Sequence, residues 1–433
     1  VPHLPQLRRS PVRLAPDPAR VVIRPFRPAT EPRDLNPTDK SRANHIVDRV
    51  LGLDTDEAEH QLADVIGGFA GRHHDLAAVF AARADEMEAA LRLHDTFTPT
   101  QRQLVGAYFM QEYSFEASAL FNPSIVPHPD QSGLPAGSLR FVMSLRAIGE
   151  GHISSLTFRS GEIDVDGRVR IHLKSAMATI PRVVRREATP AGDSVVLRFS
   201  GDEDLCERVI FPVTDQQSNG IEDARFVAFE DGGRRTYYAT YTAYSGRAIR
   251  SELLQTDDFT EFRLTPLTGD AAHNKGMALF PRKLDGGYAM IGRQDNENLY
   301  LLRSDDLTTW TGGTAILKPQ FPWEFVQIGN CGAPIELDEG WLLLTHGVGP
   351  VRKYAIGAAL LDKNDPTRVL ARTAEPLVRP DPSEREGYVP NVAYTCGALR
   401  FADQIVLPYA VADTFTSVST VAIADLLAGM TPC

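Results

Sequence analysis

Five times after residue 113 the chain runs through the same order of events: a polar or Pro-marked entry, a short strand, a tight turn and a second strand. The entries are "FNPSIV" around Asn122, "IEDARF" around Asp223, "MALFP" around Phe280, "CGAPIEL" around Pro334 and "VPNVAY" around Asn391. The last four lie about 55 residues apart, within the range of propeller blades of three or four strands. The first gap is longer, roughly 100 residues, and holds the insertion "SAMATIPRVVRREATPAGDS". Turns such as "EDGG", "LDGG" and "LDEG" supply the backbone freedom that tight hairpins need. One such unit cannot bury its apolar faces alone, so the repetition predicts a mainly β fold, a five-bladed β-propeller.

The N-terminal part has another period. Across residues 39–113, apolar side chains recur three and four apart among Ala, Leu, Glu and Arg, which predicts roughly three helices. Thr98 followed by "PTQ" reads as a capped helix start with Pro in the first turn. Residues before about 39 are Pro-rich and extended, suited to lie on another element. The expected division is an extended and helical segment over 1–113 and a propeller over 114–433. For the helices three roles stay open: covering a propeller edge, narrowing the cleft, or forming a homo-oligomer contact.

Charge and composition exclude some classes. The formal net charge of −11 argues against nucleic acid and anionic membrane as partners. No apolar run approaches the roughly 20 residues of a membrane helix. The basic, Pro-rich N-terminus has no signal-peptide core, so the expected location is cytoplasmic. Cys206, Cys331, Cys396 and Cys433 form no CxxC pair and read as isolated buried thiols. No HExxH or comparable cluster is present, and neither a metal nor a cofactor is expected.

In a propeller the blade entries converge on one face, although they are far apart in sequence. Asn122, Asp223, Lys275, Glu336 and Asn391 sit near such entries, so an axial polar pocket is expected. Within "GIEDARF", strand alternation puts Asp223 and Arg225 on one face and turns Glu222 away, making Arg225 the expected partner of Asp223.

Taken together, "FNPSIV", "GIEDARF" with "TYYATYTAY", "ALFPRKLDGGYAMIGR", "GAPIELDEGWLLLTHGV", "YAIGAALLD" and "EREGYVPNVAYTCGAL" with "LPYAVADT" resemble glycoside hydrolase family 130, over roughly residues 119–424. That resemblance implies a five-bladed propeller acting on β-mannosides, as a phosphorylase or a β-1,2-mannosidase. It also implies that Asp223 is the general acid, here in Glu-Asp-Ala-Arg rather than the family's Glu-Asp-Pro-Arg. In the family the proton passes through a hydroxyl of the bound mannose. Asn122, Ser124, Arg146, His152, Ser154, His346 and Asn391 are carried over as sugar ligands, since each sugar hydroxyl both donates and accepts.

Phosphorylase and hydrolase differ in what holds the attacking group. The family's phosphate cluster is matched by Lys275 and Arg293, but its third position, a Lys, is Glu336 here. A carboxylate facing a phosphate dianion repels it and offers a base for water instead. The sequence therefore favours an inverting exo-β-mannosidase on β-1,2-mannosides, with Asp223 as acid and Glu336, with Glu384 or Glu386, holding the water. The alternatives are a phosphorylase that uses inorganic phosphate as co-substrate and releases mannose 1-phosphate, and a non-catalytic sugar-binding propeller.

Overall fold

The computed structural model describes residues 5–29, 40–94 and 96–433. The chain divides into two compact units, one of residues 19–114 and 176–180, the other of 1–18, 115–175 and 181–433. Among the described residues, no helix is long and apolar enough to cross a membrane.

The first unit is helical. Among the described residues it has four helices, Arg42–Leu51, Thr55–Phe69, Leu76–Leu91 and Pro99–Tyr108. Each begins at a side-chain cap: Ser41, Asp54, Asp75 and Thr98 accept the backbone N–H three residues on. Asp54 with Glu57 and Thr98 with Gln101 complete reciprocal capping boxes. Where the period predicts roughly three helices there are four, because Gly71 takes a left-handed φ of 77° and Asp75 starts a new cap, which separates Thr55–Phe69 from Leu76–Leu91. The tail expected as helix up to 113 instead forms the strand Met110–Tyr113, paired with Val22–Pro25. The expected helix onset at 39 lies outside the described residues.

The second unit is the five-bladed propeller. Blade I contains Ala119–Pro127, Leu139–Ile148, Ser154–Ile163 and Val169–Ile171. Blade II contains Gly220–Asp231, Arg234–Tyr244, Ile249–Thr256 and Glu261–Pro266. The insertion that lengthened the first repeat is a hairpin, Arg182–Thr189 and Gly192–Arg198, added to the outer edge of blade II. Blade III runs from Ala278–Leu279 to Thr314–Leu317, and blade IV from Gln327–Asn330 to Val369–Arg372. Blade V comprises Ala393–Tyr394, Leu399–Phe401, Gln404–Val411 and Phe415–Ala422.

The core is a set of wedges between blades. Val142 and Phe158 of blade I meet Phe226 and Tyr237 of blade II. Phe229 then meets Met290, Phe280 meets Trp341, and Leu344 meets Leu407 around the ring. Because blades stack on both faces, the strand Trp341–Val348 is buried along its whole length.

The apolar contact between blades V and I is small, with Ala119, Phe121, Ile148 and Ala410. It is reinforced by hydrogen bonds from Leu120 N to Thr414 O (2.9 Å) and from Cys396 N to Pro123 O (2.8 Å). The outer edge of blade V is covered by the N-terminal strand Arg8–Leu14, which pairs antiparallel with Phe415–Ala422. The expected boundary put this strand with the helices. The bare edge of blade V needs a partner for its backbone groups, and the extended Pro-rich segment supplies one.

Blades I and II are joined by one parallel bridge, Gly220 to Ser154. Gly220 has φ 140°, and a Cβ there would stand 2.1 Å from Ser154 Oγ and 2.8 Å from its backbone N. Gly220→Ala is expected to destabilise the protein by about 1–3 kcal/mol, seen as a lower Tm, because the conformation and the space both exclude a methyl group. An unchanged Tm would refute this close-contact argument.

Candidate active site

The site begins at two irregularities of the backbone. In blade I the register with the neighbouring strand shifts between Phe121 and Ser124, and Asn122 takes φ 49°. In blade II it shifts between Glu222 and Arg225, and Asp223 takes φ 53°. Such bulges re-aim side chains. Here they bring Asn122 Nδ2 to 2.6 Å from Asp223 Oδ1.

The bulge overturns the expected pairing. Alternation fails across Glu222 and Asp223, and both carboxylates meet one guanidinium: Arg146 donates to Glu222 at 2.6 Å and to Asp223 at 3.2 Å. Arg225 instead donates to the backbone carbonyl of Asp223 (3.0 Å) and to the Tyr394 hydroxyl (2.7 Å). Burial pushes the Asp223 carboxyl up, but Arg146, Lys275, Arg225 and the Asn122 amide outweigh it and hold it at about 2.

The pocket beside Asp223 is lined by Arg225, Lys275, Gly276, Arg293, Gly329, Asn330, His346 and Tyr394. Blades II to V supply these residues, and blade I reaches the site through Asn122 and Arg146. Arg293 is buried, its Nε has no hydrogen-bond partner among the described residues, and burial together with Arg225 lowers its pKa. Burial and the same two arginines keep His346 neutral. Its Nδ1 lies 3.2 Å from the Asn330 carbonyl, which only accepts, so Nδ1 carries the proton. Four cations, Arg146, Arg225, Lys275 and Arg293, thus face Glu222 and Asp223. A pocket with surplus positive charge and neutral donors suits an anion.

Several expected ligands lie elsewhere. Glu336 is a bidentate partner of Arg282, at 2.8 and 2.9 Å. It pairs across from Trp341, five residues before His346 on the same strand. At about 3.3 Å per residue that is roughly 17 Å from the pocket, because the entry of blade IV runs past the site before its hairpin turn. Glu384 is held by Arg9 of the N-terminal strand at 2.8 Å, and Glu386 is exposed. None of the three lines the pocket.

Ser124 Oγ accepts the Phe226 N–H at 3.0 Å and so pins blade I to blade II. Ser154 is buried at the bridge to Gly220, and Asn391 accepts the Tyr354 N–H through its backbone carbonyl. His152 stands on the rim, with Nδ1 2.8 Å from the Tyr388 hydroxyl. Trp323 packs where Gly347 and Gly357 leave space. Cys206, Cys331 and Cys396 are buried, as the sequence suggested, but Cys433 is exposed. No metal-ligating cluster occurs among the described residues.

Sequence reasoning missed Tyr394, Asn330 and Asp413. Asp413 lies in the loop between the last two strands of blade V, with φ 47° and a buried Oδ1 that has no partner among the described residues. Burial raises its carboxyl to about 7, against the opposing pull of Arg146, Arg352 and Lys275 and with a further push from Asp223. The only sequence signal was the "VADT" run after a strand.

The glycoside hydrolase family 130 model, described as beta-1,4-mannooligosaccharide phosphorylase, matches residues 202–431. A 1,2-beta-oligomannan phosphorylase from Thermoanaerobacter sp. (strain X514) is 35% identical over 218 residues, covering 49% of this chain and 72% of that protein. A beta-1,2-mannobiose phosphorylase from Listeria innocua is 32% identical over 268 residues, covering 57% and 73%. Among solved structures, the Listeria innocua beta-1,2-mannobiose phosphorylase complex superposes with a TM-score of 0.51 at 24% identity, over 72% of this chain and 91% of that one. A family 130 structure described with glycoside hydrolases that target beta-1,2 mannosidic linkages in Candida mannan gives 0.52 at 20%, over 72% and 86%. At these identities the structural likeness speaks for the fold.

Asp413 also sets a pH dependence. An ordinary Asp titrates near 3.9 in the unfolded chain. Below that pH the carboxyl is protonated in both states and costs nothing. As pH rises towards about 7 the unfolded chain ionises first, and the folded state loses stability relative to it. Asp413→Asn is expected to leave Tm unchanged near pH 4 and to raise it by roughly 2–5 °C at pH 8. Equal shifts at both pH values would refute the assignment.

Proposed function

Because the chain belongs to glycoside hydrolase family 130, we propose that it is an inverting phosphorylase of β-1,2-linked mannosides. In this reading a phosphate oxygen attacks the anomeric carbon of the terminal mannose, the glycosidic C–O bond breaks, and the leaving oxygen takes a proton. The products are mannose 1-phosphate and the shortened mannoside. The observation that carries the reading is the lining of the pocket: Arg225, Lys275 and Arg293 stand beside Asp223, while Glu336, Glu384 and Glu386 stand away from it. The names of the similar proteins support phosphorolysis as well. A hydrolase needs a carboxylate base for water, and the three glutamates expected to provide it are engaged or exposed elsewhere.

Asp223 is the proton donor of this scheme, with the proton passing through a mannose hydroxyl as the family resemblance implies. Held at about 2 by the neighbouring cations and the Asn122 amide, it is ionised before phosphate binds. A phosphate dianion beside Lys275 and Arg225 offsets the cations that depress it, so bound phosphate raises its pKa and makes the acid form accessible. Arg146 and Asn122 keep the carboxyl oriented, and Asp413 offers its unpartnered oxygen to a sugar hydroxyl. Calorimetry of sulfate binding near pH 5, where sulfate stays a dianion while free inorganic phosphate is a monoanion, in two buffers of different ionisation enthalpy is expected to show net proton uptake. Proton release would contradict the coupling.

The deciding experiment is product analysis on β-1,2-mannobiose with and without inorganic phosphate. Mannose 1-phosphate formed only with phosphate is the expected result. Free mannose alone, released at a phosphate-independent rate, would overturn the proposal in favour of the hydrolase. Asp223→Asn is expected to lower kcat/KM about 10²–10⁴-fold. Lys275→Ala is expected to raise KM for phosphate about tenfold or more, and Glu336→Gln to leave both constants unchanged.

A further inference from the structure

The rim of the pocket carries an aromatic pair that neither the core nor the anion site uses. His152 lies in the loop 149–153 of blade I, and Tyr388 lies on the segment 379–391 that leads into blade V. The His152 Nδ1 and the Tyr388 hydroxyl are 2.8 Å apart, and their rings stand 5.8 Å apart, tilted by 46°. Tyr388 is also 6.4 Å from the Phe121 ring, and the Arg146 guanidinium lies 5.1 Å above that same ring. The pair is therefore separated from Asp223 by one phenyl ring and one guanidinium.

Tyr388 is 40% exposed, yet its segment is strapped from behind. Its N–H donates to Thr414 Oγ1 at 2.8 Å, and Val389 N donates to Ala412 O at 3.1 Å. A Cβ on Gly387 would stand 2.2 Å from Thr414 Oγ1, so the chain is pressed against the last loop of blade V. Farther back, Arg9 clamps Glu384. A half-exposed ring on a fixed segment is a pre-organised contact surface, since little freedom is lost when a ligand meets it. A tyrosine ring offers an apolar face to the C–H face of a pyranose, and its hydroxyl and the imidazole offer polar edges to sugar hydroxyls.

We propose that Tyr388 and His152 form the acceptor platform of the enzyme, binding the sugar unit on the leaving side of the scissile bond. This rests on the phosphorylase reading and adds to it the residues that select the acceptor. The sugar on the attacked side is held by the Asp223 cluster, and the departing sugar rests against Tyr388 with a hydroxyl on the free nitrogen of His152. In the reverse direction the same platform receives the free sugar that accepts mannose from mannose 1-phosphate.

The test is reverse-direction kinetics with mannose 1-phosphate and mannose, in the wild type and in Tyr388→Ala, Tyr388→Phe and His152→Ala. Tyr388→Ala is expected to raise KM for mannose about tenfold, with KM for mannose 1-phosphate within about twofold of wild type. Tyr388→Phe keeps the ring and is expected to lie between the two. Equal rises in both KM values, or no change in either, would overturn the platform. If the wild type forms no mannose 1-phosphate, the phosphorylase reading fails by itself. The platform is then read by equilibrium titration with β-1,2-mannobiose and with mannose. Weaker disaccharide binding with unchanged mannose binding in Tyr388→Ala supports it, and equal loss for both ligands refutes it. Thermal melts of each variant confirm folding, which a half-exposed side chain is not expected to disturb.

Discussion

The arrangement of the site depends on one guanidinium. Glu222 and Asp223 are adjacent carboxylates that the backbone bulge turns towards the same side, and without a cation between them they would repel each other at close range. Arg146, from the neighbouring blade, donates to both and so locks blade I to blade II at the axis of the ring. Its own position is fixed by the Phe121 ring beneath it, and that ring leads on to the rim aromatics. Removing one partner of such a buried cluster leaves a charge uncompensated, which is costly far beyond the net worth of the pair.

Around this clamp the molecule departs from the rules that a purely stable protein would follow. Asn122, Asp223 and Asp413 all adopt left-handed φ values, Asp413 keeps an unpartnered buried oxygen, and Arg293 is a buried cation set near another cation. Each feature costs stability, and all of them gather at one face of the ring. The five apolar wedges between blades offset that cost from a distance. The ring itself is finished by the strand Arg8–Leu14 on blade V, and the same strand reaches the site rim through Arg9 and Glu384. Closure of the fold and construction of the rim are thus linked.

Much of this was legible from the residues. The recurrence of entry, strand and turn at about 55 residues predicted the propeller, and it placed Asn122, Asp223 and Lys275 on the axial face, where they are found. The resemblance added Arg146, Arg293 and His346, which the structure gathers beside Asp223. The N-terminal caps at Asp54 and Thr98 announced two helices through their reciprocal partners three residues on. Other expectations failed for identifiable reasons. Strict alternation misassigned the partner of Asp223 because a bulge breaks the period of two. Glu336 was placed in the pocket by its nearness in sequence to the blade entry and by the family's lysine at that position, and the hairpin carries it to the far end of the strand.

The sequence alone determined the architecture and the kinds of side chain available at each blade entry, because periodicity and turn chemistry are local properties that each repeat states separately. Tertiary structure alone decided which of those side chains meet. The Arg146 clamp spans 76 and 77 residues of sequence, and the Asn122 contact to Asp223 spans 101. Arg225 reaches Tyr394 across 169, and His152 reaches Tyr388 across 236. Contacts of that range follow from ring closure and from bulges of a single residue. A one-residue change in register reverses the direction of a side chain, and no local pattern records it.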